Sequence, residues 1–271
     1  MTVGRLAAFT VLLTLTVSIA QPAAADQVSV DKLLASGSCP GCDLKLSGLR
    51  DLNANEGDLS KAVLREADLK GATLTNSNLR QADLRRAELE RANLSGSDFT
   101  YAKMRGIDLE KANVARSILV EVDLRNADMA ETNISGSDFT EADLRSANLV
   151  RAVAAGAIFR ETKMDIADFE RANLDRADFT DARLPYADFD RAVATGAIFR
   201  GADLSGARMT SADLSGADLT GANLLGALLR HTRLAGTNLT DVRGLDPQRV
   251  IDACGDSKTR APEDIKLKPC N

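Results

Sequence analysis

From Leu59 onward every fifth residue is large and apolar: Leu64, Leu69, Leu74, Leu79, Leu84, Leu89, Leu94, Phe99, Met104, Leu109 and Val114 begin a series that runs to Leu239. Only Ala154 and Ala194 in this series are too small to be core knobs. Two residues before each knob the side chain is nearly always small, as at Ala62, Ala67, Ala72, Ser77 and Ala82, and the residues around these pairs are mostly polar or glycine. A period of five fits neither a helix of 3.6 residues per turn nor a strand of period 2. The chain must turn once per unit. Short extended segments joined by turns keep both apolar positions inside a coil, while Asp, Asn, Gly and Ser take the bends. Stacked coils then satisfy one another's backbone as parallel ladders. No coil buries its apolar row alone, so stability must come from stacking.

This pattern resembles the pentapeptide-repeat family, whose unit is read as A(D/N)LXX. Ala67-Asp68-Leu69, Ala82-Asp83-Leu84, Ala92-Asn93-Leu94, Ala142-Asp143-Leu144, Ala172-Asn173-Leu174 and Ala217-Asp218-Leu219 carry the resemblance, within about 37 units over residues 57–241. The resemblance implies an all-β fold, a right-handed quadrilateral parallel β-helix with four units per coil. Residues 57–241 then make about nine regular coils and a rod of about 45 Å.

A coil of twenty has separate support. Residues 151–160 read RAVAAGAIFR and residues 191–200 read RAVATGAIFR, forty positions later, and GSDFT at 96–100 returns at 136–140. On that folding Phe99, Phe139, Phe159, Phe179 and Phe199 share one interior column. Ala154 and Ala194 sit one unit before Phe159 and Phe199, which balances core volume.

The remaining segments are ends. Residues 1–25 read as a signal peptide, with Arg5, an apolar stretch from Leu6 to Ile19 and Ala23-Ala24-Ala25 before a cut at Asp26. The apolar stretch is too short and too interrupted for a stable membrane span. Residues 26–56 read as an N-terminal cap and irregular first coils, with the register faltering at Ala54. Residues 242–271 read as a C-terminal cap in which Asp246-Pro247 starts a helix. The caps are expected to be short and helical.

Four cysteines, two at each end, most simply give two local bridges, Cys39 with Cys42 and Cys254 with Cys270. Thiol redox chemistry at the Cys39/Cys42 CxxC, metal binding and free thiols are the alternatives; no βαβ context accompanies the CxxC. His231 is the only histidine, at a turn position facing water. The many aspartates follow from the repeat rather than from a catalytic pair, and no phosphate-binding glycine motif is present. No catalytic residue, cofactor or metal ligand is assigned.

Stacking by twenties puts Asp68, Glu88, Asp108, Asp128, Asn148, Asp168 and Asp188 in one column, with Arg91, Lys111, Arg151, Arg171 and Arg191 three residues further on. The formal net charge is only -5. Some members of the family resemble duplex DNA and bind type II topoisomerases, but a 45 Å imitation of DNA would need about 26 negative charges. An acidic chain with 4% aromatic residues is also a poor nucleic-acid binder. The surface feature that stands out is apolar. Ile118, Ile158 and Ile198 recur at outward positions every forty residues, alternating with aspartates, and Val153 and Val193 hold the same place one unit earlier. Such a stripe suits a protein partner or a second copy. The expectation is a non-enzymatic, periplasmic or secreted scaffold that binds a protein partner and has no stable membrane span after processing. Thiol redox or other enzymatic work in the non-repeat ends is the runner-up, topoisomerase binding comes third, and the oligomeric state is left open.

Overall fold

The computed structural model describes residues 26–270, so the expected signal peptide lies outside the described residues. One unit explains nearly all of them. In Ala82-Asp83-Leu84-Arg85-Arg86, Ala82 and Leu84 are fully buried. Asp83, between them, points outward and pairs in parallel with Val63 on one side and Lys103 on the other. Arg85 and Arg86 form the corner, which closes where the Ala87 amide donates to the Leu84 carbonyl at 3.1 Å. Arg86 has φ 56°, and the same corner position is left-handed along the whole ladder. A turn left-handed at its third residue is of type II.

The Asp or Asn before each knob has a local task. Asp98 Oδ1 accepts the Thr100 amide at 2.9 Å, and Asp108 Oδ1 accepts the Glu110 amide at 2.9 Å. Each such side chain satisfies the first amide of its corner, as Asx turns do.

Ladder partners are twenty residues apart from Asp43↔Val63 through Asn223↔Arg243, in agreement with the coil inferred from the forty-residue repeat. Four faces result, numbered in chain order. Face 1 runs through Asp58, Asn78 and Asp98, face 2 through Val63, Asp83 and Lys103, face 3 through Asp68, Glu88 and Asp108, and face 4 through Thr73, Asn93 and Asn113.

The knobs form one continuous core. On face 1, Phe139, Phe159, Phe179 and Phe199 stack with ring centroids 5.1, 4.9 and 4.8 Å apart. Phe169 and Phe189 stack at 5.0 Å in the face 3 column and meet the first row edge-on, as at Phe169–Phe179, 5.8 Å. Such geometries suit the ring quadrupole. Ala154 and Ala194 are buried in the knob column of face 4, where they offset the rings. Where Ser replaces the small Ala, its hydroxyl donates inward: Ser117 Oγ to the Leu94 carbonyl at 2.9 Å and Ser137 Oγ to the Val114 carbonyl at 2.7 Å. Burying those hydroxyls unpaired would be unfavourable.

The ladder begins earlier than the sequence suggests. Asn53 bridges Thr73, and Leu52 and Ala54 are both buried, so the stretch before residue 57 is in register rather than irregular. The large and small residues have exchanged places, Leu52 at the small position and Ala54 at the knob. Total volume is kept, and the pattern is hidden. Helix α1, Gln27–Ser36, is capped by Asp26 and ends at Gly37 in the left-handed region. Its Leu33 is fully buried against the core. Gly57 lets it dock, since a Cβ there would collide with the Gly37 carbonyl oxygen.

At the other end the expected helix after Asp246 is a single 3₁₀ turn, Pro247–Arg249. The chain then widens its spacing, with Arg233↔Cys254 and Asn238↔Arg260 as the next rungs. Strand β1, Cys254–Gly255, pairs in parallel with β2, Lys268–Pro269.

Candidate interaction surfaces

The apolar stripe of the sequence is assembled as expected on face 1, where the ladder runs Asp98, Ile118, Asp138, Ile158, Asp178, Ile198, Asp218. Val153 and Val193 lie on face 4, one corner away from Ile158 and Ile198. Ile118, Val153 and Val193 are 44%, 40% and 44% exposed, whereas Ile158 and Ile198 are half-buried. The aspartates between the isoleucines are internally engaged. Asp178 accepts from Arg160 Nε at 2.7 Å, the Thr180 amide at 3.0 Å and Thr180 Oγ1 at 2.6 Å. Burial pushes its carboxyl up, but Thr180 and Arg160 outweigh that and hold it below the ordinary value. Arg200 holds Asp218 in the same way, Nε to Oδ2 at 2.6 Å. The stripe is thus a set of apolar rungs separated by aspartates, of which Asp98, Asp178 and Asp218 are paired with arginines and Asp138 accepts from Thr140 alone among the described residues.

Two features were not read from the sequence. Ile166, Tyr186 and Leu225 are the most exposed apolar side chains of the ladder, all on the corner between faces 2 and 3. The same corner carries Lys45, Arg65, Arg85, Arg105, Arg125 and Arg145 at successive rungs. Reading the two residues after each knob in steps of twenty would have found both.

The acidic column of face 3 forms as expected from Asp68 to Asp188. Burial raises Asp108, helped by a hydrogen bond with Glu90, and burial also raises Asp188, beside Asp190 and Asp168. These carboxylates line an outer wall. Among the described residues no group of His, Cys, Asp and Glu is arranged to hold a metal ion. His231 stands exposed at a left-handed corner.

Both local disulfides are formed, Cys39 with Cys42 and Cys254 with Cys270, with Cα atoms 5.5 and 4.8 Å apart. Cys39 is fully buried at the knob position of its unit, and Cys42 takes the next small position across the Pro40-Gly41 corner. The bond therefore replaces a Leu–Ala contact inside the first coil. Burial of Cys39 denies a thiol-exchange partner direct access to that sulfur. No described helix is long and apolar enough to cross a membrane.

The family model described as pentapeptide repeats matches residues 42–81, 77–114, 107–145, 137–175, 172–210 and 207–243, and the chain belongs to that family. Its fold is the family's right-handed β-helix. Among solved structures it is similar to HetL, a pentapeptide-repeat protein involved in heterocyst differentiation regulation from the cyanobacterium Nostoc sp. strain PCC 7120. The two share 28% identity over 83% of this chain and 92% of HetL, with a TM-score of 0.53. QnrB1, a plasmid-mediated fluoroquinolone resistance protein, shares 18% identity over 68% of this chain and 92% of its own, TM-score 0.32. Rfr23 of the cyanobacterium Cyanothece 51142 shares 24% over 50% of this chain and 86% of its own, TM-score 0.28. No curated protein sequence gives a significant match.

Proposed function

We propose that this protein is an exported, non-enzymatic scaffold that recognises a protein partner through side chains displayed at coil spacing. It would be a rod of about ten regular coils, one more than the repeat alone suggested, closed by α1 at one end and by the disulfide-linked tail at the other. The observation that carries the reading is the outward row of Ile118, Ile158 and Ile198 flanked by Val153 and Val193, apolar side chains held on a rigid ladder, with the Asp178 and Asp218 rungs beside them already paired with Arg160 and Arg200. The basic start, apolar stretch and small-residue exit of residues 1–25 support export, and two disulfides suit an oxidising compartment. The similarity to HetL, a regulatory protein by its description, fits a role by contact rather than by catalysis.

The test is cross-linking in the source cell before lysis, with mass spectrometry of the captured chain. The expected species starts at Asp26, carries both disulfides and cross-links to a partner through the Ile158 side. Replacing Ile158 and Ile198 by Lys should abolish capture while the purified protein keeps its fold. Unchanged capture by that variant, or an uncut and fully reduced chain, would overturn the reading.

A further inference from the structure

The corner between faces 2 and 3 is a single line from one end of the rod to the other. Backbone hydrogen bonds fix its order: the Glu66 amide donates to the Arg85 carbonyl, Arg86 to Arg105, Gly106 to Arg125, Asn126 to Arg145, Ser146 to Asp165, Ile166 to Pro185, Tyr186 to Ser205 and Gly206 to Leu225. Lys45, Arg65, Arg85, Arg105, Arg125 and Arg145 therefore stand one above another at about the 4.8 Å of a β ladder.

Carboxylates on face 2 answer these cations only in part. Asp43 pairs with Lys45, Asp83 is shared by Arg65 and Arg85, Asp123 is held by Arg125, Asp143 is shared by Arg125 and Arg145, and Glu66 on the corner itself pairs with Arg86. Arg105 has Lys103 rather than an aspartate beside it on face 2, and neither makes an ion pair among the described residues. Gly106 leaves open the space above Arg86, and Arg65, Arg85, Arg86, Arg105, Gly106 and Asn126 line a surface pocket of about 390 Å³. No carboxylate lines it. Beyond Arg145 the line changes character. Asp165 is gripped by Arg183, Nε at 2.9 Å and Nη2 at 2.7 Å. Above it the same corner presents Ile166, Tyr186 and Leu225, 63%, 70% and 64% exposed. Tyr186 lies across Gly206, where a Cβ would strike its ring.

We propose that this corner is a docking edge for a partner protein's α-helix with an acidic face over Arg65 to Arg145 and an apolar continuation over Ile166, Tyr186 and Leu225. The site deepens the interaction-scaffold reading and rests on it. Charge and period choose the occupant. A helix rises about 5.4 Å per turn, close to the ladder step, so one acidic residue per turn meets one arginine per rung. The mismatch of roughly 0.6 Å per turn accumulates to about 3 Å over five rungs, within the reach of arginine side chains. An extended strand presents a side chain to one face only every 6.6 to 6.8 Å or so, which drifts out of step within two or three rungs. Planar guanidiniums add two-pronged recognition of carboxylates. The acidic column of face 3, beside this corner, repels an acidic partner and so directs it over the edge and face 2. The apolar end distinguishes a protein segment from a uniformly charged polymer, and a single edge is a poor match to a flat anionic membrane.

The probe is a fluorescein-labelled peptide of about 28 residues, enough helix for the line at 1.5 Å per residue. Glu stands at i, i+4, i+7 and i+11 of its first half, and Leu and Val continue the same face. A permuted peptide of equal composition is the control. Fluorescence anisotropy should show the patterned peptide binding about tenfold more tightly than the permuted one, a difference of about 1.4 kcal/mol. Replacing Arg65 and Arg105 by Gln should remove that preference without lowering the unfolding midpoint, since Asp83 keeps Arg85 and Arg105 has no ion pair to lose. Replacing Arg91 and Arg151 by Gln, an equal change of charge on another corner, should leave it intact. Equal binding of the two peptides, equal losses in both variants, or binding of polyglutamate or anionic vesicles without preference for the patterned peptide would overturn the proposal. A native partner that is captured as strongly by the Arg65/Arg105 variant, but lost on replacing Ile158 and Ile198, would remove this edge while leaving the scaffold reading in place.

Discussion

Arg85 grips Asp83 with two parallel hydrogen bonds, Nε to Oδ1 at 2.8 Å and Nη2 to Oδ2 at 2.7 Å. Arg125 holds Asp123 and Arg145 holds Asp143 in the same way on the same face. Burial pushes Asp83 up, but hydrogen bonds and charge from Arg85 prevail and leave its carboxyl below the ordinary 3.8. A depressed folded value means that the stabilisation is present above 3.8 and is lost as pH falls through the folded value. The rod should therefore weaken in acid below about pH 3.8. Urea midpoints of Asp83→Asn and the parent at pH 7 and pH 3 should converge, the variant being weaker at neutral pH and less sensitive to acid. A constant gap between them would contradict the assignment.

Asp108 carries the opposite sign. Burial and the neighbouring Glu90 carboxylate raise it, so the native state binds its proton more tightly than the unfolded chain does. Its contribution is most favourable in acid and is lost as pH rises through the folded value. Asn148, in the same column, shows what an amide does there, donating Nδ2 to Asp128 Oδ1 at 3.0 Å while its own Oδ1 accepts the Val150 amide at 3.1 Å. Asp108→Asn keeps the corner acceptor and removes the repulsion. It should raise the thermal midpoint at pH 7, with the gain shrinking toward pH 4. A lower midpoint at neutral pH would refute this.

Ala194 tests the volume balance of the core. It is buried in the knob column of face 4, one unit before Phe199, which stacks on Phe179 at 4.8 Å. Leu at this position adds three carbons beside a ring that has nowhere to move. Overpacking of this kind destabilises by about 1 to 3 kcal/mol. Equal denaturant midpoints for Ala194→Leu and the parent would show that the core has slack.

The architecture was legible because one physical demand, a corner every five residues around a filled core, recurs at every unit. The phenylalanine column and the coil of twenty followed from the same repeat. The beginning of the ladder was hidden because Leu52 and Ala54 exchange sizes, which a search for large residues at fixed positions cannot see although the volume is conserved. The tail misled in another way. Asp246-Pro247 does cap a turn, with Asp246 Oδ1 accepting the Gln248 amide at 2.9 Å, but the chain is drawn back into rungs with Arg233 and Asn238 before a helix can grow. The apolar stripe was readable as a column, though not that Ile158 and Ile198 would be half-buried. The arginine corner was missed because Arg, Lys, Ser and Thr interchange freely at the position after the knob, so its order appears only when the chain is stacked.

Among the described residues Ile166 is the one β-branched residue in the left-handed region, at φ 60°, where the other corners use glycine or side chains not branched at Cβ. Its Cβ crowds the backbone, and the strain of a left-handed L-residue is about 1 to 2 kcal/mol, greater when the side chain is branched at Cβ. Ile166→Gly should raise the unfolding midpoint, the relief being partly offset by the greater entropy of glycine in the unfolded chain. The same change removes an apolar contact from the proposed docking edge. A variant that is more stable yet binds the patterned peptide more weakly is the combination expected, and strain retained for binding is how such positions persist. Loss of stability instead would mean that the isoleucine packs well enough to outweigh its backbone.

The two disulfides should differ in what their loss does. Cys254–Cys270 encloses sixteen residues of sequence separation with little core of its own, Ala253 and Ile265 being its buried apolar side chains. In the chain-entropy account such a loop is stabilised by about 3 kcal/mol when closed. Cys39–Cys42 spans three residues, so it restricts the unfolded chain little, and Cys39 is already held as a knob against α1 and the first coil. Each repeat contacts chiefly its neighbours, so damage at one end need not spread along the rod. Replacing Cys254 and Cys270 by Ser should speed hydrogen exchange in residues 242–270 and in the coil beneath, leaving the phenylalanine column protected. Replacing Cys39 and Cys42 by Ala should change exchange only around α1 and the first corner, and by less. Global loss of protection from the C-terminal pair would show instead that the rod unfolds from that end as one cooperative unit, with the tail as its lock.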